Sequence, residues 1–150
     1  MPGRSDSESP WGELPLLIDT SAWGRAAHPA VRDRWLLTLR AGQLCISPAI
    51  RLEILLQARG GADFEELAER LSVLRVAQLT GATARAAENA MHTLAHRSHG
   101  SHRLPVIDYL VAATAQETGA AVLHYDHDYD TLAEVMSFDS IWMAPPGSMP

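Results

Sequence analysis

Residues 14–21 read Leu-Pro-Leu-Leu-Ile-Asp-Thr-Ser, a short apolar run that ends at the acidic residue Asp19. A continuous apolar run of this length is typical of a strand buried on both faces, as in a parallel sheet. The pattern returns at residues 120–126, Ala-Ala-Val-Leu-His-Tyr-Asp, which end at Asp126. Ligands of such sheets bind at the carboxyl ends of the strands. The two stretches therefore predict a parallel sheet with an acidic edge.

The rest of the chain alternates apolar segments with helical ones. We expect further strands at 44–46, 74–79 and 140–143. Helices are expected at 21–28, 29–41, 47–59, 62–73, 80–97, 104–118 and 128–135. Because apolar strands separated by helices form parallel sheets, we predict an α/β fold. Its short parallel sheet should have about four to five strands, with helices on both faces.

The length of 150 residues suits one domain. Residues 1–13 are rich in Ser, Pro, Gly and acid, so we predict a disordered N-terminal extension at 1–13 and one domain over 14–147. No apolar run is long enough to cross a membrane, and the N-terminus lacks the apolar core of a secretory signal. With a single cysteine, Cys45, we expect a cytoplasmic protein.

The charges exclude some classes of protein. All 12 basic residues are arginine, and the absence of lysine excludes Schiff-base enzymes and the P-loop motif. A net charge of −6 argues against a protein that coats nucleic acid nonspecifically. It is compatible with a nucleic-acid enzyme whose own site is acidic.

Two more acids stand on mostly apolar helices, which the pattern predicts to be buried on most faces. Glu53 lies in Ala-Ile-Arg-Leu-Glu-Ile-Leu-Leu (49–56), and Asp108 is the only charge of Val-Ile-Asp-Tyr-Leu-Val-Ala-Ala (106–113). A buried carboxylate needs a partner, because the desolvated charge costs several kcal/mol. Structural alternatives exist. Asp19 and Asp128 would cap the helices that follow them, and Glu53 would pair with an arginine.

Together, Asp19, Glu53, Asp108 and Asp126 are predicted to converge, because strand ends and the helix starts that follow them share one sheet edge. Four carboxylates so close would repel one another and could not all stay ionised without a cation. A ligand set made only of oxygens selects a hard divalent ion, Mg²⁺ or Mn²⁺. The implied chemistry is hydrolysis of phosphodiester bonds by metal-activated water.

Four motifs carry a resemblance to a known family. They are Leu17-Ile18-Asp19-Thr20-Ser21, Ile46-Ser47-Pro48 leading to Glu53, Ile107-Asp108-Tyr109-Leu110-Val111-Ala112-Ala113, and Leu123-His124-Tyr125-Asp126-His127-Asp128-Tyr129. In this order and spacing they resemble the PIN-domain ribonucleases, specifically the VapC-type toxins of bacterial toxin–antitoxin pairs. The resemblance covers about residues 14–147.

This resemblance implies a PIN-like fold and a catalytic set made of Asp19, Glu53, Asp108 and Asp126. The metal ligands implied are Asp19, Asp108 and Asp126, with Asp128 either a further ligand or only a helix cap. Thr20 and Ser21 resemble the family's hydroxyl beside the first acid and are the supporting residues that the resemblance implies. His102 and Arg103 resemble a His-Arg pair before the Asp108 helix, which would either contact RNA phosphate or lie in a solvated loop.

The implied activity is that of a Mg²⁺- or Mn²⁺-dependent endoribonuclease acting on RNA such as tRNA or ribosomal RNA. The implied partners are a VapB-type antitoxin and a second copy of the chain in a homodimer. Two other functions stay open. One is a non-catalytic PIN-like module that binds RNA or protein, and the other is a DNA-directed metal nuclease.

Overall fold

A computed structural model of the chain describes residues 9–150. The strands within this range are β1 Leu16–Ile18, β2 Leu44–Ile46, β3 Arg75–Val76, β4 Ala121–His124 and β5 Ser140–Trp142. They form one sheet in the order β3-β2-β1-β4-β5, and every neighbouring pair is parallel. The predicted α/β fold with a short parallel sheet is confirmed.

Except for α1 and the start of α2, the helices of residues 9–150 begin and end close to the predicted positions. They are α1 Thr20–Trp23, α2 Arg32–Arg40, α3 Pro48–Leu56, α4 Gly61–Leu71, α5 Gly81–Arg97, α6 Val106–Thr118 and α7 Asp128–Ala133. Ser47 caps α3 by accepting a hydrogen bond from the Ala49 amide, and Thr80 and Thr83 cap α5 reciprocally. Gly119 ends α6 with a φ of 72°, a conformation that glycine adopts without strain. None of these helices has both the length and the apolar character needed to cross a lipid bilayer.

The segment between β1 and α2 differs from the prediction of two full helices at 21–28 and 29–41. α1 ends at Trp23, and residues 24–31 form successive turns before α2 begins at Arg32. Pro29 lies within these turns, and because proline lacks an amide hydrogen and disfavours helical backbone in the residue before it, no continuous helix passes through residues 28 and 29.

The core surrounds β1, the central strand of the sheet, and β4 beside it. Every residue of these strands is buried. Since successive side chains of a strand point to opposite faces, full burial means that both faces of the sheet are covered. Trp35 and Cys45 belong to this core.

Helix α3 is less buried than the sequence suggested. Ile50, Ile54 and Leu55 pack into the core, but Leu52 is 68% exposed and Leu56 is 85% exposed. The apolar residues of this helix therefore lie on two faces, and only one of these faces packs against the rest of the domain.

The predicted N-terminal extension, 1–13, lies partly outside the described residues. Within the described part, Trp11 is buried, and its indole Nε1–H donates a hydrogen bond to the Met143 carbonyl at 3.2 Å. The side-chain amide of Gln43 donates hydrogen bonds through Nε2 to the carbonyls of Gly12 and Leu14, at 2.7 Å each. Residues 9–13 thus contact the domain, and the boundary at residue 13 stays a prediction.

Candidate active site

The carboxyl ends of β1 and β4 lie side by side. Ile18 is in register with Leu123, and the Asp19 amide donates to the Leu123 carbonyl at 3.0 Å. Asp126 follows β4 by two residues. The sheet therefore brings Asp19 and Asp126 to one edge, where α6 places Asp108 in its first turn.

Asp19 is a buried carboxylate with three hydrogen-bond donors. Its Oδ2 accepts from the Ser21 amide at 3.0 Å, which caps α1, and from the Ser21 hydroxyl at 2.5 Å. Its Oδ1 accepts from the Tyr129 hydroxyl at 2.7 Å. Ser21 Oγ also accepts from the Tyr125 amide at 2.9 Å, so this one hydroxyl ties Asp19 to the end of β4. Asp19 is thus both a helix cap and a residue of the acidic edge.

Asp108 is the most perturbed acid of the cluster and is only 7% exposed. Burial raises the pKa of its carboxyl to about 8, helped by the charge of Asp19, by a hydrogen bond to Asp128 and by the charges of Asp126 and Asp128. A hydrogen bond between the carboxyl groups of Asp108 and Asp128 needs a proton on one of them. In the ionised form of Asp108, no group among residues 9–150 hydrogen-bonds its buried Oδ2. Asp108 therefore needs either a proton or a cation.

Three carboxylates lie close enough to share an ion. Oxygens of Asp108, Asp126 and Asp128 lie within 4.8 Å of one another. The Asp126 Oδ1 accepts from the Asp128 amide at 2.9 Å, which fixes the two residues relative to each other. Asp128 is the first residue of α7 and His127 takes the cap position, so the side chain of Asp128 is not needed as the cap.

This acid triplet, Asp108, Asp126 and Asp128, fits a hard divalent cation. Its donors are all oxygens, one of them is buried without a partner, and like charges stand together. Beside it lies a cleft of about 460 Å³, whose lining includes Asp19, Thr20, Ser21, Glu53, Asp108 and Asp126. The four acids predicted from the sequence thus line one cleft, although only two of them belong to the triplet.

Glu53 lies in the cleft but outside the triplet. It is half-buried, and its Oε2 accepts a hydrogen bond from the Thr20 hydroxyl at 2.9 Å. The ion pairs within residues 9–150 do not include Glu53, so the alternative of a pair with an arginine is not observed. Thr20 therefore donates its hydroxyl hydrogen bond to Glu53, whereas Ser21 donates to Asp19.

His102 and Arg103 lie in the loop before α6. The carbonyl of His102 accepts a hydrogen bond from the Tyr109 hydroxyl at 2.7 Å, and Arg103 is exposed. Neither residue is among those that line the cleft. Contact with RNA stays a prediction for both.

Sequence reasoning missed two fully buried polar residues beneath the acids, His124 and Tyr129. Burial lowers the pKa of His124 to about 4, so its ring is neutral at pH 7. Its Nδ1 accepts from the Asp126 amide at 3.1 Å, and its Nε2 donates to the Ser140 hydroxyl at 2.7 Å. The available signal was the presence of polar rings in apolar elements, since a buried tyrosine normally finds a partner.

Comparisons with known proteins agree with one another. The family model described as PIN domain matches residues 16–135. Ribonuclease VapC18 of Mycobacterium tuberculosis is 37% identical over 133 residues, covering 88% of this chain and 97% of that protein. Ribonuclease VapC51 of the same organism is 33% identical over 136 residues, covering 91% and 98%. A DNA-bound VapBC structure from Salmonella typhimurium has a TM-score of 0.68 at 16% identity, covering 88% of this chain and 100% of that chain.

Proposed function

Because this chain belongs to the PIN domain family, we propose that it is a metal-dependent endoribonuclease, the toxin of a VapBC-type pair. The observation that carries the proposal is the acid triplet with the unpartnered Oδ2 of Asp108. A binding module without activity has no need of such a costly group, because an ionised carboxylate buried without a partner destabilises the fold.

We assign the cation to Asp108, Asp126 and Asp128, with Asp19 as a further ligand. When bound, Mg²⁺ or Mn²⁺ would supply positive charge that keeps these carboxylates ionised and offsets negative charge developing on the phosphate. Thr20 donates a hydrogen bond to Glu53 in the same cleft, and we assign to the Glu53 carboxylate the role of accepting a proton from an attacking water. The proposed substrate is cytoplasmic RNA, such as tRNA or ribosomal RNA.

We expect the purified protein to cut cellular RNA with Mg²⁺ or Mn²⁺ and to stop when EDTA is added, since the triplet needs a cation. Gel analysis of total RNA measures the cutting, and excess Mn²⁺ added after EDTA should restore it. Cleavage that continues in EDTA would contradict the metal-dependent activity.

The same assay separates the alternatives when single-stranded DNA of matched sequence is included as a control. Cutting of DNA but not RNA would favour the DNA-directed nuclease. Binding of RNA without any cutting would favour the binding module.

Two exposed apolar surfaces are available for the proposed protein partners. The α2–α4 groove, of about 490 Å³, includes Trp23, Trp35, Leu36, Leu39 and Val73 in its lining, with Arg32 and Arg70 beside them. The α3 face consists of Leu52, Leu56 and Phe64, all exposed, and it borders a cleft of about 970 Å³. Contiguous exposed apolar surface of this kind marks interaction sites.

We assign the α2–α4 groove to the antitoxin and the α3 face to a second copy of this chain. The groove combines apolar side chains with two arginines, which suits a partner segment that carries both apolar and acidic residues. The α3 face is continuous with the active site, because Glu53 and Ile107 line both clefts. A homodimer formed there would place its two acidic clefts near each other.

One charged substitution on each surface tests both assignments. Val73→Asp in the groove should weaken co-purification with the co-expressed VapB-type antitoxin at least about tenfold and leave the oligomeric state unchanged. Leu56→Asp on the α3 face should convert the dimer to a monomer in light scattering while keeping the antitoxin. Each variant is the control for the other. If Val73→Asp yields a monomer and Leu56→Asp loses the antitoxin, the two assignments are reversed.

A further inference from the structure

The hydroxyl of Tyr129 lies between two carboxylates that come from different parts of the fold. It donates to Asp19 Oδ1 at 2.7 Å, and Asp108 Oδ1 lies 3.4 Å from the same oxygen. Asp19 follows β1, Asp108 belongs to α6, and Tyr129 belongs to α7. A single side chain thus connects three elements at the floor of the acidic cleft.

Asp19 has little freedom to offer oxygen lone pairs to a cation. A carboxylate has about four acceptor positions, and the Ser21 amide and the Ser21 hydroxyl occupy those of Oδ2. Tyr129 occupies one position of Oδ1. The one remaining acceptor position is therefore on Oδ1, the oxygen that Tyr129 contacts. The hydrogen bond from Tyr129 thus fixes the direction of this remaining lone pair.

The ring of Tyr129 is itself held in place. The residue is fully buried, and its ring lies 4.8 Å from the ring of His124, measured between centroids. His124 in turn is fixed by hydrogen bonds with the Asp126 amide and the Ser140 hydroxyl. The hydroxyl therefore has a defined position relative to both Asp19 and the acid triplet.

We propose that Tyr129 is a positioning residue of the active site, whose hydroxyl fixes Asp19 and spaces it from Asp108 so that both face one cation. Packing alone would be satisfied by phenylalanine at this position. The hydroxyl is directed at a carboxylate of the cleft, whereas the hydroxyl of the equally buried Tyr109 donates to the backbone carbonyl of His102. The inference rests on the proposed cation site, but its test does not need RNA.

The test is Mn²⁺ titration of untagged apo protein by calorimetry, with Tyr129→Phe compared with Tyr109→Phe. Both substitutions keep a buried ring and remove one hydroxyl that donates a hydrogen bond. Tyr129→Phe should weaken Mn²⁺ binding about tenfold or more, as is usual when a partner that orients a metal ligand is lost. Tyr109→Phe should leave the affinity within about twofold, even though both variants melt at lower temperature.

A double-mutant cycle separates positioning from a general loss of structure. If Tyr129 acts through Asp19, adding Tyr129→Phe to Asp19→Asn should weaken Mn²⁺ binding by less than about twofold more. A merely structural role predicts that the two effects add.

The inference is overturned if Tyr129→Phe binds Mn²⁺ as tightly as wild type or more tightly, or if Tyr109→Phe loses as much affinity. It is also overturned if the two effects add in the cycle, or if wild type does not bind Mn²⁺. If wild type binds Mn²⁺ but does not cut RNA, the proposed function fails and the role of Tyr129 stands. If wild type cuts RNA but Tyr129→Phe binds Mn²⁺ normally, the role of Tyr129 fails and the function stands.

Discussion

Asp126→Asn should lower RNA cleavage at least about 10³-fold while leaving the circular dichroism spectrum unchanged. Asp126 belongs to the acid triplet, and its Oδ1 also accepts from the Asp128 amide. The asparagine keeps the size of the side chain but removes the charge that the cation requires. The measurement is the single-turnover cleavage rate of a defined RNA at saturating Mn²⁺.

The matched control is Asp130→Asn, which removes the same charge from the same segment. Asp130 is exposed and accepts hydrogen bonds from the Trp142 indole at 3.1 and 3.2 Å, away from the cleft. Its substitution should change the rate by less than about threefold. A cleavage rate of Asp126→Asn close to wild type would remove Asp126 from the site.

The sheet and its acidic edge could be predicted because both depend on local patterns. The run Leu16–Ile18 and the run Ala121–His124 are too short and too apolar to be surface helices, and each leads directly to an acid. Parallel pairing then places those acids together without any knowledge of side-chain contacts. Asp19 and Asp126 were found in this way.

Which side chain contacts each acid could not be predicted, because these contacts depend on side-chain positions in separate helices and strands. Nothing in the spacing indicates that Thr20 holds Glu53, or that Tyr129 reaches Asp19 from α7. Both tyrosine and histidine also occur as ordinary core residues. Their role appears only when the direction of each hydroxyl or ring nitrogen is known.

The open face of α3 was missed for a different reason. Apolar residues recur along a helix in the same way whether they face the core or a partner. Leu52 and Leu56 therefore looked like core residues, although both are exposed in the single chain.

Asp108→Asn should raise the melting temperature of the metal-free protein at pH 8. The pKa of Asp108 is about 8 in the folded state, above the value of about 3.9 for an unfolded aspartate. Between these values the folded state binds more protons than the unfolded state, so stability falls as the pH rises, by at most about 1.4 kcal/mol per pH unit. Asparagine does not titrate. In EDTA, the melting temperature of wild type should therefore decrease more between pH 5 and pH 8 than that of Asp108→Asn.

Adding Mn²⁺ should reverse this order, because a cation that binds only the folded state stabilises it. At a concentration of about 100 times Kd the gain is roughly 2.7 kcal/mol, which is several degrees for a domain of this size. Asp108→Asn should gain much less, since it lacks one ligand of the triplet, while the Asp130→Asn control should gain as much as wild type. A structural role for Asp108 predicts a lower metal-free melting temperature for the variant and an unchanged response to Mn²⁺. That result would exclude Asp108 from the cation site.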